Sequence, residues 1–182
     1  LARVGVINHP LTGMPTNAAL FPRAVDASTG PAVTEFGRFE STGTLGSSFA
    51  PFVPGAGGDF QRDIELKLPL DRLGDRRALL SHLDRVRWKL DSSPEGTDKL
   101  RDQAFGTLVG GIAGVFDLSK ESPKVVARYD TAPLVRPSQI NKKWKNYNHY
   151  VDNAKSLGKL LLLARRLCEA GARFVSLNYS RW

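Results

Sequence analysis

Cysteine, methionine and histidine are scarce in this sequence. Of 182 residues, one is Cys, one is Met and three are His. A lone Cys168 excludes an intrachain disulfide and any zinc site built from several thiolates. The redox compartment therefore stays open. No apolar run approaches the roughly 20 residues that a membrane-spanning helix needs. No charged-then-apolar leader follows Leu1, so no signal peptide is visible, and Leu1 in place of Met reads as an internal start. Two catalytic motifs are missing as well: the Gly-x-Ser-x-Gly nucleophile elbow and the P-loop. Acidic residues are outnumbered, 18 Asp and Glu against 26 Lys and Arg, which leaves a formal net charge of +8. That balance favours anionic partners such as nucleic acid, acidic polysaccharide or a membrane surface. Surplus Arg on an ordinary solvated surface gives the same total.

What is present is enough for a core. The apolar fraction is 41%, with three Trp and nine Phe, and the length allows one domain or part of a larger one. The region up to about Gly58 is rich in Gly, Pro, Ser and Thr. Val4 to Ile7 and Ala18 to Phe21 read as short strands inside it, the second closed by Pro22. The aromatics Phe39, Phe49 and Phe52 predict that the intervening Gly/Ser loop packs onto a body. Further on, Asp63-Ile64-Glu65-Leu66-Lys67-Leu68 alternates polar and apolar, a half-buried strand ended by Pro69. Leu79, Leu83, Val86 and Leu90 fall on one helical face, with Arg76, Arg77, Asp84, Arg85 and Arg87 on the others. A second helix is expected from Thr97, carrying Leu100, Ala104 and Leu108 and closed by Gly110 and Gly111.

The second half begins with two short turns in FDLSKESPKVVARYD. Ser122 followed by Pro123 is a helix start: the hydroxyl caps, and proline lacks only an N–H that is unpaired there anyway. Residues Thr131 to Asn153 are polar, basic and aromatic, and read as irregular. The final helix places Leu157, Leu160, Leu161, Ala164, Leu167 and Cys168 on one stripe. Leu162 and Leu163 widen it, so the helix is expected to be buried on most sides and Cys168 to be a small core residue. Gly171 fits the left-handed position that ends a helix. A two-residue turn, Gly171-Ala172, then leads to a core strand with Phe174, Val175 and Leu177.

Candidate chemistry is thin. His9, before Pro10, reads as a turn residue, and His82 as a boundary residue of the middle helix. His149 and Asp152, three apart, share a face if their segment is helical, but no third metal ligand is near. Ser41-Thr42-Gly43-Thr44-Leu45-Gly46-Ser47-Ser48 offers backbone N–H groups to an anion, or is simply a packed loop. Asn141-Lys142-Lys143-Trp144-Lys145-Asn146-Tyr147-Asn148-His149-Tyr150 interleaves cations with aromatics. Such a surface stacks bases or sugar rings while neutralising phosphates or sulfates. The competing reading has Trp144 and Tyr147 pointing inward and only the lysines in water. Asn178-Tyr179-Ser180 matches a glycosylation sequon, a pattern frequent by chance.

Five stretches together carry a family resemblance: GMPTNAALFPRAV, FESTGTLGSSFAPFVPG, LPLDRLGDRRALL, FDLSKESPKVVARYD and NKKWKNYNHYVDNAKSLGKLLLLARRLCEAGARFVSL. They resemble, in order, the bacterial domain of unknown function 1501 family, which is sulfatase-like and related to the alkaline phosphatase superfamily. LLLARRLCEAG and DLSKE are the most specific pieces. Tyr129-Asp130 departs from the Tyr-Gly of many members, which concerns a local turn. The resemblance implies an α/β fold with helices and long loops around a few strands of a mostly parallel sheet. On that basis residues 1–182 are expected to be an internal fragment of a single sulfatase-like domain. It also implies export through a twin-arginine leader, to the periplasm or beyond, and ancestry among metal-dependent hydrolases of phosphate or sulfate esters. The family's metal motifs are incomplete here: Trp182 matches the Trp of a Trp-Asp-x-His motif whose Asp and His come later. No catalytic, cofactor-binding or metal-ligating residue is therefore carried over, and a divalent metal is expected only in the full-length protein. The expected partner is an anionic small molecule or polysaccharide, with nucleic acid disfavoured and no membrane span. The alternative function is a non-catalytic binding or assembly protein that contacts an acidic polymer through the basic aromatic segment.

Overall fold

The structure is a computed structural model. It describes residues 7–30, 37–38, 41–46, 49–55, 113–134 and 136–178. The strand expected over 63–68, the helices expected over 79–90 and 97–108, His82, Phe39 and Trp182 lie outside the described residues. Of the first expected strand only Ile7 is described, and it sits in a bend.

The described elements are mixed helix and strand around a small parallel sheet, an α/β arrangement. Strand β1 is Asn17–Leu20 and strand β2 is Phe174–Leu177. They pair in parallel, with Ala18 opposite Val175 and Leu20 opposite Leu177. On its other edge β1 meets Phe52: Ala19 N donates to Phe52 O and Phe52 N donates to Asn17 O, both at 2.9 Å. Strand β1 is thus central, and its Ala18, Ala19 and Leu20 are buried. Between the strands come helix α1, Ala113–Phe116, helix α2, Pro123–Arg128, and helix α3, Tyr147–Glu169.

Alternation along the strands decides which side chains enter the core. Ala18, Leu20, Val175 and Leu177 share one face of the sheet, by the period of two. On that face they pack with Met14, Phe116, Leu160, Leu163 and Leu167. Phe174 is in register with Asn17 on the opposite face and is 46% exposed. The expectation of a fully buried core strand is therefore corrected: β2 is one-sided. The prediction for the loop aromatics holds at Phe52, which packs on the core with its ring centroid 5.9 Å from that of Phe116.

Helix α3 has 23 residues, so it runs about 34 Å. Its buried stripe is Ser156, Leu160, Leu163 and Leu167, spaced four, three and four apart. The buried polar group on this stripe is satisfied, since Ser156 Oγ donates to Asp152 O at 2.6 Å. The stripe is rotated from the expected one, leaving Leu161 and Cys168 exposed. Cys168 is therefore not a core residue. A run of four leucines satisfies several helical phases, and only the packing partner selects one. Gly158 and Leu162 lie on the opposite side of α3 and are also buried. There the backbone at Tyr129 and Thr131 crosses the helix, and a Cβ on Gly158 would overlap the Tyr129 carbonyl oxygen.

The ends of the elements follow their local chemistry. Ser122 Oγ accepts from Val125 N at 3.4 Å, and Pro123 occupies the first helical turn of α2, as the sequence predicts. Asp117 caps the following 3-10 turn, accepting from Ser119 N at 3.1 Å. Helix α3 ends in a Schellman motif. Ala172 N donates to Leu167 O and Gly171 N to Cys168 O, with Gly171 at φ 114°. The helix-to-strand turn spans residues 170–173, two more than expected. A second correction concerns Thr131 to Asn153. Residues from Tyr147 onward belong to α3, although Asn146 gives no side-chain cap and the first turn shows no apolar stripe.

Candidate functional site at the carboxyl ends of the strands

Two parallel strands place both carboxyl ends on one edge. In open α/β sheets that edge is where ligands bind. Here it holds Leu20 at the end of β1, Phe21 after it, and Asn178 after β2. Asn178 N donates to Leu20 O at 2.8 Å, which ties the two exits together. Asn178 Nδ2 donates to Ser176 Oγ at 3.1 Å.

Helix α3 runs antiparallel to the strands, and contacts along it show this. Before β1, Thr12 Oγ1 donates to Ala170 O at 2.6 Å, and the His9 ring lies against Gly171. Both contacts are at the carboxyl terminus of α3. After β1, Asp26 feels Lys155 and Lys159, and Gly30 N donates to Asp152 Oδ2 at 3.3 Å. Asp152 and Lys155 are in the amino-terminal half of α3, and Lys159 is just past its midpoint. That half therefore flanks the carboxyl-end edge of the sheet.

Asp26 is shaped for an ionised state. The Ser28 hydroxyl donates to its Oδ1 at 2.6 Å and the Ser28 N–H at 3.0 Å. The hydroxyl hydrogen bond is the largest cause holding this carboxyl below its usual 3.8. Partial burial works against it, and the backbone bond, Lys159 and Lys155 work with it. The Asp-x-Ser pattern is a local turn signal that went unread in the sequence. Its two lysine partners, more than a hundred residues away, carry no such signal.

The expected site residues divide by location. His149 and Asp152 do share a face of α3, because the segment is helical. Both point at Gly30, where an added Cβ would stand 3.9 Å from His149 Cε1. Among the described residues no group of three or more His, Cys, Asp and Glu is assembled. The pair thus docks the 26–30 segment. His9 is a turn residue, as expected, with Nδ1 accepting from Thr12 N at 3.3 Å. It sits at the amino-end edge, away from Asn178. In the Gly/Ser loop, Gly43 N is committed to Ser41 Oγ at 3.1 Å. Ser47 and Ser48 lie outside the described residues.

The basic aromatic segment sits just ahead of α3. Trp144 is 55% exposed, so the inward-packing reading is wrong for it, while Tyr147 is half-buried. Lys142, Lys143 and Lys145 are exposed. Asn141 folds the segment: its Oδ1 accepts from Lys143 N and its carbonyl from Trp144 N, both at 3.0 Å. The Trp144 and Tyr150 rings meet edge to face with centroids 5.6 Å apart.

No described helix is long and apolar enough to cross a membrane. No curated protein matches the chain, and no solved structure matches it. One family does, described as "Protein of unknown function (DUF1501)", over residues 12–182. This span contains both strands, all three helices and every residue of the carboxyl-end edge, and the chain belongs to that family.

Proposed function

We propose that the chain is part of an exported, sulfatase-like hydrolase of phosphate or sulfate esters, with the fold of the alkaline phosphatase superfamily. One observation carries the reading. The carboxyl ends of two parallel strands share an edge, and α3 flanks it with Lys155 and Lys159, on either side of the helix midpoint. An anionic ester arriving there meets positive charge close to the sheet edge. The family resemblance supplies the reaction class. The described residues do not by themselves fit the divalent metal that such enzymes use, since no three-ligand cluster is assembled among them. Their part is to frame the edge and supply its charge.

The test uses the full-length protein with nitrophenyl phosphate and nitrophenyl sulfate. Release of nitrophenolate from one ester, abolished by chelation and restored by a divalent cation, is the expected result. Inertness toward both esters together with no bound divalent metal overturns the proposal.

A second reading, a non-catalytic binding protein on the same fold, is favoured by the exposure of Trp144 among three exposed lysines. Ester hydrolysis by the full-length protein decides between the two.

A further inference from the structure

We infer that the segment 141–150, together with Lys155 and Lys159, is a docking surface for an anionic polysaccharide chain. The inference rests on the hydrolase reading for one point only, that the polymer so held is the substrate. It narrows the substrate from any small ester to an ester-bearing acidic polysaccharide.

Position is the first argument. Segment 141–146 enters α3 at the end that flanks the strand carboxyl ends. From Asp152, which holds Gly30 N, back to Tyr147 is about 8 Å along the helix axis. The lysines and Trp144 therefore stand on the same side of the molecule as Asn178 and Asp26, one helical turn or two outward. A polymer bound there passes close to the candidate site.

Charge is the second. Lys120, Arg165 and Arg166 are each paired with a carboxylate. None of Lys142, Lys143 and Lys145 makes an ion pair with another described residue. Lys155 and Lys159 are exposed as well. Of the carboxylates on this side, Asp152 is turned to Gly30 N and Asp26 to Ser28. Among the described residues, Lys142, Lys143 and Lys145 are thus without an ion pair, and Lys155 and Lys159 face the single carboxylate of Asp26, an excess of positive charge that attracts a polyanion.

The third argument is preorganisation around an aromatic ring. Asn141 fixes the turn through Lys143 N and Trp144 N, and Tyr147 N donates to Trp144 O at 3.0 Å. Tyr150 braces the indole edge to face. Holding the ring in place before binding lowers the ordering cost of the complex. The electron-rich face of an indole accepts the C–H face of a sugar ring, as its quadrupole dictates.

Polysaccharide is favoured over nucleic acid by two features. Single-stranded nucleic acids are held by successive stacking platforms, whereas here one ring is exposed and Tyr147 and Tyr150 are half-buried. All five cations are Lys, separate point charges suited to spaced sulfates or carboxylates. The planar Arg fork, which is preferred for phosphate backbones, is missing from this set.

The experiment measures binding of the full-length protein to heparin and to a single-stranded oligonucleotide, at low and high salt. Three proteins are compared: wild type, Lys142→Ala/Lys143→Ala/Lys145→Ala, and Trp144→Ala. Thermal melts confirm that each is folded. Wild type should bind heparin more tightly than the oligonucleotide, with affinity falling as salt rises. The triple variant should lose about tenfold or more, and Trp144→Ala a similar amount, with Trp144→Phe recovering most of it. Equal heparin binding by all three proteins, or binding indifferent to salt, overturns the surface. Tighter binding of the oligonucleotide overturns the polysaccharide assignment. Nitrophenyl ester hydrolysis is measured separately. Hydrolysis without heparin binding sinks this inference alone, and heparin binding without hydrolysis sinks only the enzyme reading.

Discussion

Arg166 Nη1 donates to Glu121 Oε1 at 2.7 Å, and both side chains are largely buried, 14% and 15% exposed. The same guanidinium donates from Nε to Val115 O and from Nη2 to Gly114 O, each at 2.7 Å. One arginine of α3 thus holds both the end of α1 and the turn that follows it. The Arg-Arg helix and the Asp-Leu-Ser-Lys-Glu turn, far apart in the chain, meet through this contact. Arg165 is the outer partner, 3.4 Å from Glu121 Oε1 and 3.2 Å from Glu169 Oε1, with its guanidinium 5.6 Å from the Tyr129 ring centroid.

Removing Glu121 should therefore cost more than removing Glu169. Glu121→Ala leaves a mostly buried guanidinium with its two carbonyls but no counter-charge, a loss of about 2–3 kcal/mol. Glu169 is 61% exposed and, among the described residues, forms a salt bridge with Arg165 alone. Glu169→Ala should change stability by about 0.5 kcal/mol or less. Urea denaturation of the two full-length variants checks the order, and equal effects would contradict the assignment.

Gly158 is required by a neighbour and not by its own backbone angles. Alanine there gains roughly 1 kcal/mol of helix propensity. Its Cβ, however, would overlap the Tyr129 carbonyl oxygen, which is backbone and cannot rotate away. The segment at Tyr129 and Thr131 must move, and Gly158 N loses its contact with Thr131 Oγ1, now 2.9 Å. Gly158→Ala should destabilise by about 2 kcal/mol net. A higher melting temperature than wild type would show that the segment does not cross α3 there.

At Gly171 two costs are separable. The positive φ of 114° penalises any Cβ, and that Cβ would stand 2.7 Å from His9 Cγ. Gly171→Ala should cost about 2–3 kcal/mol in the wild-type background. When His9 is first changed to Ala, only the backbone penalty remains, about 1 kcal/mol. A double-mutant cycle with no coupling between positions 9 and 171 would remove His9 from the helix terminus.

Asp26 gives a pH dependence with a defined sign. Its folded-state carboxyl titrates below the usual 3.8, chiefly through the Ser28 hydroxyl. A depressed carboxylate contributes stability that is present above the unfolded value and is lost as pH falls through the folded one. Ser28→Ala should therefore lower stability at neutral pH, with the deficit shrinking below about pH 4. It should also raise the Asp26 titration midpoint, read by carbon-detected NMR of the carboxyl. A deficit that stays constant down to pH 2 would point to packing and not to charge.

Much of the local structure was legible in the sequence, and the reasons are local. Ser122-Pro123 capped α2 because a hydroxyl and a missing N–H act within one turn. Gly171 ended α3 because few other residues tolerate its backbone angles. Ala18 to Leu20 formed a strand between turn residues. Where the sequence misled, the deciding partner was remote. Cys168 and Leu161 fit an apolar stripe as well as Leu163 does, until the sheet selects the face. Tyr147 to Asn153 lacked a cap and a stripe, yet they continue the helix whose buried leucines lie further along. Trp144 turned outward although a bulky ring after two lysines could equally have packed in. At the site, the cation-rich segment was read from the sequence, while the local Asp-x-Ser signal at Asp26 was passed over. That Lys155 and Lys159 come to Asp26 was not legible there.

Chain order and side-chain chemistry alone determined the family, the positive charge, the caps and the turn glycines, because each depends on neighbours a few residues apart. The tertiary structure decided which face of α3 is buried, that β2 is one-sided, and that Lys155 and Lys159 come to Asp26. Those outcomes depend on residues brought together across more than a hundred positions of chain. The parallel pairing of β1 and β2, with α3 laid antiparallel across them, is what brings them together.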